Sequence, residues 1–342
     1  MRVTNVRRRA RALADRGLAK LGMRLAPLAS DVDPYLREAA DTSTALPPGA
    51  AERLRDDHPR LLELRAEYAR LDWPVVRHSR WDAEHVGSWL DLRYFRADNP
   101  YVWHYRESER ASRLKYFVFL QYVLGTTSTE LVARLGEDGL FGCWTYAYAG
   151  RPPCSRDLLD SVNELGFLQR HVGVLDRSDL RVLDVGAGYG RMAHRMSQAA
   201  AGLRDYCCVD AVPESTFLSE YYVDFRGLAP TTRVVALPDV PAITAGGFDL
   251  ALNIHSFSEC PHAAIEWWVG ELERLDVPQL FLVPNERAGF LSMEPDGSRR
   301  DYLPLLERAG YRLTVEEPAF TDRAVRELLE VDDRHCLFER SR

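Results

Sequence analysis

The sequence predicts an α/β protein: a mostly parallel sheet of seven strands covered by helices on both faces, preceded by a mainly helical region. Three observations lead there. After residue 180 short apolar runs alternate with helical stretches, the pattern of parallel strands joined by crossover helices. The first of these runs turns into its helix through three glycines at alternate positions, in RVLDVGAGYGRMAHRM, residues 181–196. Before residue 180 the apolar residues keep helical spacing. The chain therefore divides into a helical region over 1–165 and a sheet domain over 166–342.

The elements follow in order. Residues 1–27 carry eight basic residues against Asp15 alone, with Val3, Val6, Ala10, Leu13, Leu21 and Leu25 near helical spacing. This reads as a weakly docked terminal helix rather than a membrane-surface one, because its apolar face lacks Trp and Phe anchors. Residues 28–50 end in the turn-rich TSTALPPGA, a linker or long loop. Helical spacing resumes in AAERLRDDHPRLLELRAEYARL and ESERASRLKYFVFLQYVLG, with the aromatic-rich DLRYFRADNPYVWHYRES between them. GEDGLFGCWTYAYAGRPPCS suggests an extended or hairpin segment. SRDLLDSVNELGFLQRHVG reads as a helix capped by Ser155 or Asp157. Strands are expected at 181–185, 206–209, 232–237, 248–254, 279–284, 311–315 and 335–339, and helices at 189–200, 213–226, 262–275, 301–309 and 322–329. The last two strands, separated by a short helix, should pair antiparallel.

Composition excludes several function classes. The net charge of −7 argues against general nucleic-acid binding. All but Lys20 and Lys115 of the 44 basic residues are arginine, from which no function follows. Six cysteines occur without a CxxC pair, so neither a zinc knuckle nor a disulfide framework is indicated; reduced thiols in a cytoplasmic protein are expected. No apolar run approaches the roughly 20 residues of a membrane span, and the N-terminus lacks the apolar core of a secretory signal, so no stable membrane insertion is expected.

The glycine turn carries the functional reading. Gly186, Gly188 and Gly190 suit positive φ and let a ligand approach the backbone, and the helix N-terminus beyond them suits a carboxylate or phosphate. A dinucleotide fingerprint would place its third glycine at residue 191, which is arginine, and a P-loop lysine is absent. Asp184 precedes the turn, a position that disfavours a pyrophosphate and favours a ligand with an amino group.

VLDVGAGYG resembles the first motif of class I S-adenosylmethionine-dependent methyltransferases. That resemblance covers roughly residues 180–340 and implies a Rossmann-like seven-stranded sheet with S-adenosyl-L-methionine as cofactor. It places Asp184, Gly186, Ala187, Gly188 and Gly190 against the methionine and ribose of the cofactor. Asp210, in YCCVDAVPES, would hold the ribose hydroxyls, Asp239, in RVVALPDV, the adenine amino group, and Asn253 would lie nearby. Over DNPYVWHYR, EDGLFG, SRDLLDSVNELGFL, CVDAVPESTFLSEYY, HSFSEC and FLVPNE the chain is similar to the sugar O-methyltransferases of bacterial natural-product pathways. This narrower resemblance implies methylation of a hydroxyl on a small sugar or glycoside, a deoxysugar on a natural product or its nucleotide-activated form. A methyltransferase of another small molecule, an NAD(P)-dependent oxidoreductase and a non-catalytic scaffold remain alternatives, and a homo-oligomer remains open.

Methyl transfer to an alcohol needs a positioned base, for which histidine is well tuned. The fourth strand delivers NIHSFSEC to the carboxyl edge of the sheet, where ligands of such folds lie. His255 is therefore the expected base, with Glu259 orienting its ring or binding a sugar hydroxyl; packing of His255 and helix capping by Glu259 are the structural alternatives. His262 is a weaker candidate. Asn285 and Glu286 after the fifth strand, Trp103 and Tyr105 in the aromatic stretch, and Arg156 are expected to contact the acceptor. Glu259, Glu286 and Asp249 are the conceivable metal ligands, but they are scattered, and no metal is expected.

Overall fold

The computed structural model describes residues 44–105 and 109–341. The basic stretch 1–27, expected as a poorly ordered or weakly docked terminal helix, lies outside them. Among the described residues six α-helices precede the first strand: α1 (Ala50–Arg53), α2 (Pro59–Tyr68), α3 (Ala83–Trp89), α4 (Glu109–Thr126), α5 (Thr129–Leu135) and α6 (Arg156–Val172). Ser155 caps α6, its hydroxyl accepting from the Leu158 amide at 3.0 Å. The alternating half follows as β1 (Leu180–Val185), α7 (Arg191–Ala199), β2 (Leu203–Val209), α8 (Pro213–Phe225), β3 (Thr232–Val235), β4 (Leu250–Ile254), α9 (His262–Arg274), β5 (Gln279–Val283), α10 (Leu303–Arg308), β6 (Tyr311–Pro318), α11 (Arg323–Leu329) and β7 (Arg334–Arg340). No helix of the described residues is long and apolar enough to cross a membrane.

The sheet is Rossmann-like, in the order β3-β2-β1-β4-β5-β7-β6. All seven expected strands are present. β7 pairs antiparallel with β6, as expected, and also with β5, so it lies inside the sheet and β6 forms the edge. The chain winds outward from β1 to β3, then crosses back to β4 on the other side of β1. That reversal opens a crevice at the carboxyl ends of β1 and β4.

Alternation along the strands builds two apolar cores, one on each sheet face. Leu183, Val185, Cys207, Val209, Leu280 and Leu282 join one; Val182, Tyr206, Cys208, Leu252, Phe281 and Val283 join the other. The N-terminal helices are divided between them. Leu61, Leu64 and Tyr68 of α2 belong to the first core, and α4, α5 and α6 belong to the second. The expected boundary at 165/166 is corrected accordingly: it falls in the middle of α6, and the residues before it supply part of the cover on both faces. Arg60 and Arg65 of α2 reinforce the first contact by pairing with Glu220 (2.8 Å) and Glu214 (2.7 Å) of α8.

On the opposite face a buried circuit of charges joins the two halves. The Arg96 guanidinium donates to Asp157 (3.1 Å) and Glu137 (2.9 Å), and Arg195 of α7 donates to the same two carboxylates. The Tyr189 hydroxyl, from the glycine turn, donates to Asp157 as well. Burial opposes ionisation of Asp157, yet Arg195 and Arg96 hold its carboxyl well below the usual range. Removing one member leaves the others buried and uncompensated. Asp157→Ala should therefore lower unfolding free energy by about 3–5 kcal/mol, read by urea denaturation; a loss below about 1 kcal/mol would show that the arginines find other partners.

Candidate functional site

β1 ends at Val185 and the chain turns through Gly186, Gly188 and Gly190, with φ of 75°, 58° and 87°. All three lie in the left-handed region that favours glycine. Space forbids a side chain as well: a Cβ on Gly186 would fall 2.4 Å from Ser256, and one on Gly188 would press on the Tyr101 ring at 3.3 Å. The turn is held by the Gly186 amide donating to the Val209 carbonyl (2.9 Å). Gly190 then caps α7.

Two carboxylates flank this turn. Asp210, at the end of β2, accepts from the Gly188 amide and the Val212 amide, each at 2.9 Å. Asp184, in β1, accepts from the Tyr206 hydroxyl at 2.7 Å. Burial raises Asp184 to about 7 and Asp210 to about 6, despite those hydrogen bonds. Both line a cleft whose walls include Ala187, Gly188, Arg191, Ser256 and His255. Arg191, standing where a dinucleotide fingerprint needs glycine, pairs with both carboxylate oxygens of Glu164, at 2.7 and 2.9 Å.

β4 brings His255 to the same cleft. Its φ of 66° is left-handed, and its Nε2 lies 3.2 Å from Asp333 Oδ2. Burial opposes its charge, but the Asp333 carboxylate outweighs that and raises the imidazole above 6.5. Asp333 is the partner that the sequence reading assigned to Glu259, which is corrected here. Glu259 also lines the cleft, but its carboxylate accepts from Trp81 Nε1 at 2.6 Å and pairs with Arg80 at 3.2 Å. It does not cap α9 either, where Pro261 holds the cap position.

Several other expected residues are placed elsewhere. Asn253 is fully buried beneath the turn: its amide donates to the Val185 carbonyl (2.8 Å), and its oxygen accepts from the Phe257 amide (3.0 Å). It braces β1 against the turn after β4 and does not line the cleft. Asp239 is exposed in the short 3₁₀ segment Leu237–Ala242, away from the cleft lining. Asn285 is exposed, its backbone amide donating to Ser258 Oγ (3.1 Å), and Glu286 accepts from Ser258 and Arg299. Both serve the turn after β5. Asp249 accepts from the Arg181 amide at the opposite edge of the sheet. His262 opens α9, its amide donating to Glu294.

The N-terminal half supplies the remaining walls. Tyr101, Trp81 and His78 line the cleft; of these only Tyr101 stood within the aromatic stretch singled out by sequence. On the far side the Arg156 guanidinium sits 5.6 Å from the ring centres of both Trp103 and Tyr105 and pairs with Asp160 at 2.6 Å. Trp103 is half-exposed, whereas Tyr105 is buried. These three residues are thus brought together, beside the cleft rather than in its lining.

No family model matches the chain, and no curated protein matches it. Solved structures do. The [4+2]-cyclase SpnF is 16% identical over 67% of this chain and 95% of its own, with a TM-score of 0.40. A 1,6-didemethyltoxoflavin-N1-methyltransferase of Burkholderia thailandensis, solved with 1,6-didemethyltoxoflavin and S-adenosylhomocysteine, is 18% identical over 70% and 99%, with a TM-score of 0.39. A SAM-dependent methyltransferase from Aquifex aeolicus is 16% identical over 51% and 89%, with a TM-score of 0.38.

The raised Asp184 carries a stability consequence. A carboxyl whose folded-state pKa lies above its unfolded value destabilises the fold once ionised, and that loss is complete above the folded-state pKa. Asparagine keeps an acceptor for Tyr206 without the charge. Asp184→Asn should gain on the order of 2–4 kcal/mol at pH 8, shrinking as pH falls through 7 towards 4. Equal melting points at pH 8 would show that Asp184 is not held against its own ionisation.

Proposed function

We propose that this protein is an S-adenosylmethionine-dependent O-methyltransferase acting on a hydroxyl of a sugar, carried by a glycosylated natural product or in nucleotide-activated form. The observation behind this reading is a convergence. The glycine turn, Asp184, Asp210 and the His255–Asp333 pair meet at one cleft, at the switch point of the sheet. The sugar acceptor rests on the sequence resemblance given above, supported by the aromatic pair Trp103 and Tyr105 beside the cleft.

The residues fit the cofactor. The glycines hold the turn in a left-handed course that brings Gly186 and Gly188 to the cleft wall. Two buried carboxylates, raised by lack of solvent, are suited to an ammonium group and a ribose diol. Asp184, Gly186, Ala187, Gly188 and Asp210 would hold it, and Tyr101 would pack beside it. When bound, the cofactor supplies a methyl group on a sulfonium, an electrophile in need of an aligned oxygen nucleophile.

The chain's part is alignment and proton removal. Asp333 accepts from His255 Nε2, which selects the tautomer whose Nδ1 carries the free lone pair. That nitrogen takes the proton of the acceptor hydroxyl, and Asp333 stabilises the resulting imidazolium. The left-handed backbone of His255, held by its amide donating to the Val283 carbonyl at 2.8 Å, fixes the direction of the ring.

Cofactor binding is the first test. Calorimetry should show S-adenosylhomocysteine binding, weakened by about 1–3 kcal/mol in Asp210→Ala. Affinity should fall as pH drops below 7, by up to about tenfold per unit, because the ligand must then displace a proton from Asp184. Tight NADH binding without S-adenosylhomocysteine binding would overturn the reading.

The base is tested by transfer of a labelled methyl group to deoxysugar glycosides and nucleotide-activated deoxysugars. His255→Ala and His255→Asn should each lose about 10²–10⁴-fold in turnover with near-normal cofactor affinity. Activity should rise with pH through the raised imidazole pKa, and in Asp333→Asn that limb should move to lower pH. Near-wild-type rates in both His255 variants would assign the ring a packing role.

A further inference from the structure

The segment from Arg77 to Asp82 passes the cleft between a 3₁₀ turn (Pro74–Val76) and α3, with no helix or strand of its own. Three successive residues of it converge on a single side chain or its backbone. Ser79 Oγ donates to the Glu259 carbonyl at 2.9 Å, Arg80 pairs with Glu259 Oε1 at 3.2 Å, and Trp81 Nε1 donates to Glu259 Oε2 at 2.6 Å. Both carboxylate oxygens of Glu259 are thus engaged by the segment. On its inner side His78 and Trp81 line the cleft. The Trp81 ring packs against Tyr101, centroids 5.0 Å apart, and Tyr101 in turn lies over Gly188.

We infer that residues 77–82 are a strap that opens to exchange the cofactor and closes over it, with Glu259 as the latch; this rests on the cofactor reading above. The segment has the properties of a moving part. No backbone–backbone hydrogen bond ties residues 78–81 to another described residue. The outer side chains of Arg77 and Arg80 are 70% and 43% exposed. A segment held through its side chains rather than by a backbone ladder opens more readily than the sheet beneath it, as loops that sequester a reaction must. The latch also reaches the chemistry. Glu259 closes the short turn Ser256–Glu259 that begins directly after His255, so a closed strap steadies the turn that carries the base. Glu259 is on this account a positioning residue, and its place beside His255 in the sequence reflects that coupling.

The test is the release rate of radiolabelled S-adenosylhomocysteine from the full chain, chased with unlabelled ligand. Glu259→Gln keeps an acceptor for Trp81 and loses the ion pair; Arg80→Ala breaks the same pair from the exposed side and replaces no residue of the cleft lining. Each should speed release by about tenfold, and the double variant should be no faster than the faster single one, because both remove one interaction. Ligand should protect the wild-type chain from trypsin at Arg77 and Arg80, and this protection should be lost in Glu259→Gln. If Glu259→Gln fails to fold, release from Arg80→Ala and cleavage at Arg77 decide. Unchanged release with unchanged protection in the variants would make the strap a fixed wall and overturn the inference. Failure of the wild-type chain to bind the ligand at all would instead overturn the cofactor reading on which it stands.

Discussion

The closed circuit of charges around Asp157 is the constraint on which the rest of the site depends. One carboxylate receives Arg96 from the N-terminal loops, Arg195 from α7 and the hydroxyl of Tyr189 from the glycine turn. Glu137 repeats the two arginine contacts and accepts from Ser155, the cap of α6. Buried ion pairs of this kind add little to net stability against an apolar alternative, but they tolerate no missing member. Their consequence is geometric. The glycine turn cannot shift without disturbing Tyr189, and Tyr189 cannot shift without disturbing Asp157 and, through it, Arg96 and Glu137 of the N-terminal region. The helices before β1 are therefore bound to the cleft by charge as well as by the two cores they help to cover.

Around that rigid circuit the cleft itself stores unfavourable terms. Asp184 and Asp210 are buried carboxylates held above their ordinary pKa, and His255 adopts a left-handed backbone. None of these helps the chain fold. Unfavourable groups held in place by well-packed surroundings are characteristic of sites prepared for a ligand that relieves them. An ammonium or a diol would supply what the two carboxylates lack, and a hydroxyl proton would find the lone pair that Asp333 leaves free on the ring.

Much of this was legible in the sequence, for a physical reason. The central strands, covered on both faces, are continuous apolar runs and so were visible, and the glycines announced their φ angles by lacking side chains. Where one end of a strand meets solvent the signal fades: β2 starts at Leu203 rather than 206 because Arg204 and Asp205 masked its beginning. Burial of polar residues was the least legible. Asn253 seemed to face a ligand because it is polar at a strand end, yet it satisfies two backbone groups within the core. Asp333 had no local motif. Its place follows from topology: β7 runs antiparallel, so its first residues lie at the edge where the parallel strands end, two strands over from β4, which carries His255.

Helix α6 shows how a single element sets the distance between the two halves of the proposed reaction. Asp157, in its first turn, anchors the circuit that fixes the glycine turn. Arg156, the residue before it, packs beside Trp103 and Tyr105 and pairs with Asp160 one turn on. Glu164, one further turn along the same face, holds Arg191 at the cleft. Residues 156, 160 and 164 thus form a polar stripe along one side of the helix, from the aromatic pair to the N-terminus of α7. A helix rises about 1.5 Å per residue, so the span from Arg156 to Glu164 is about 12 Å. Glycine turn and aromatic pair are in this way referred to one rigid element. A displacement of α6 would move both together rather than change their separation, which is what a site assembled from different parts of the chain requires.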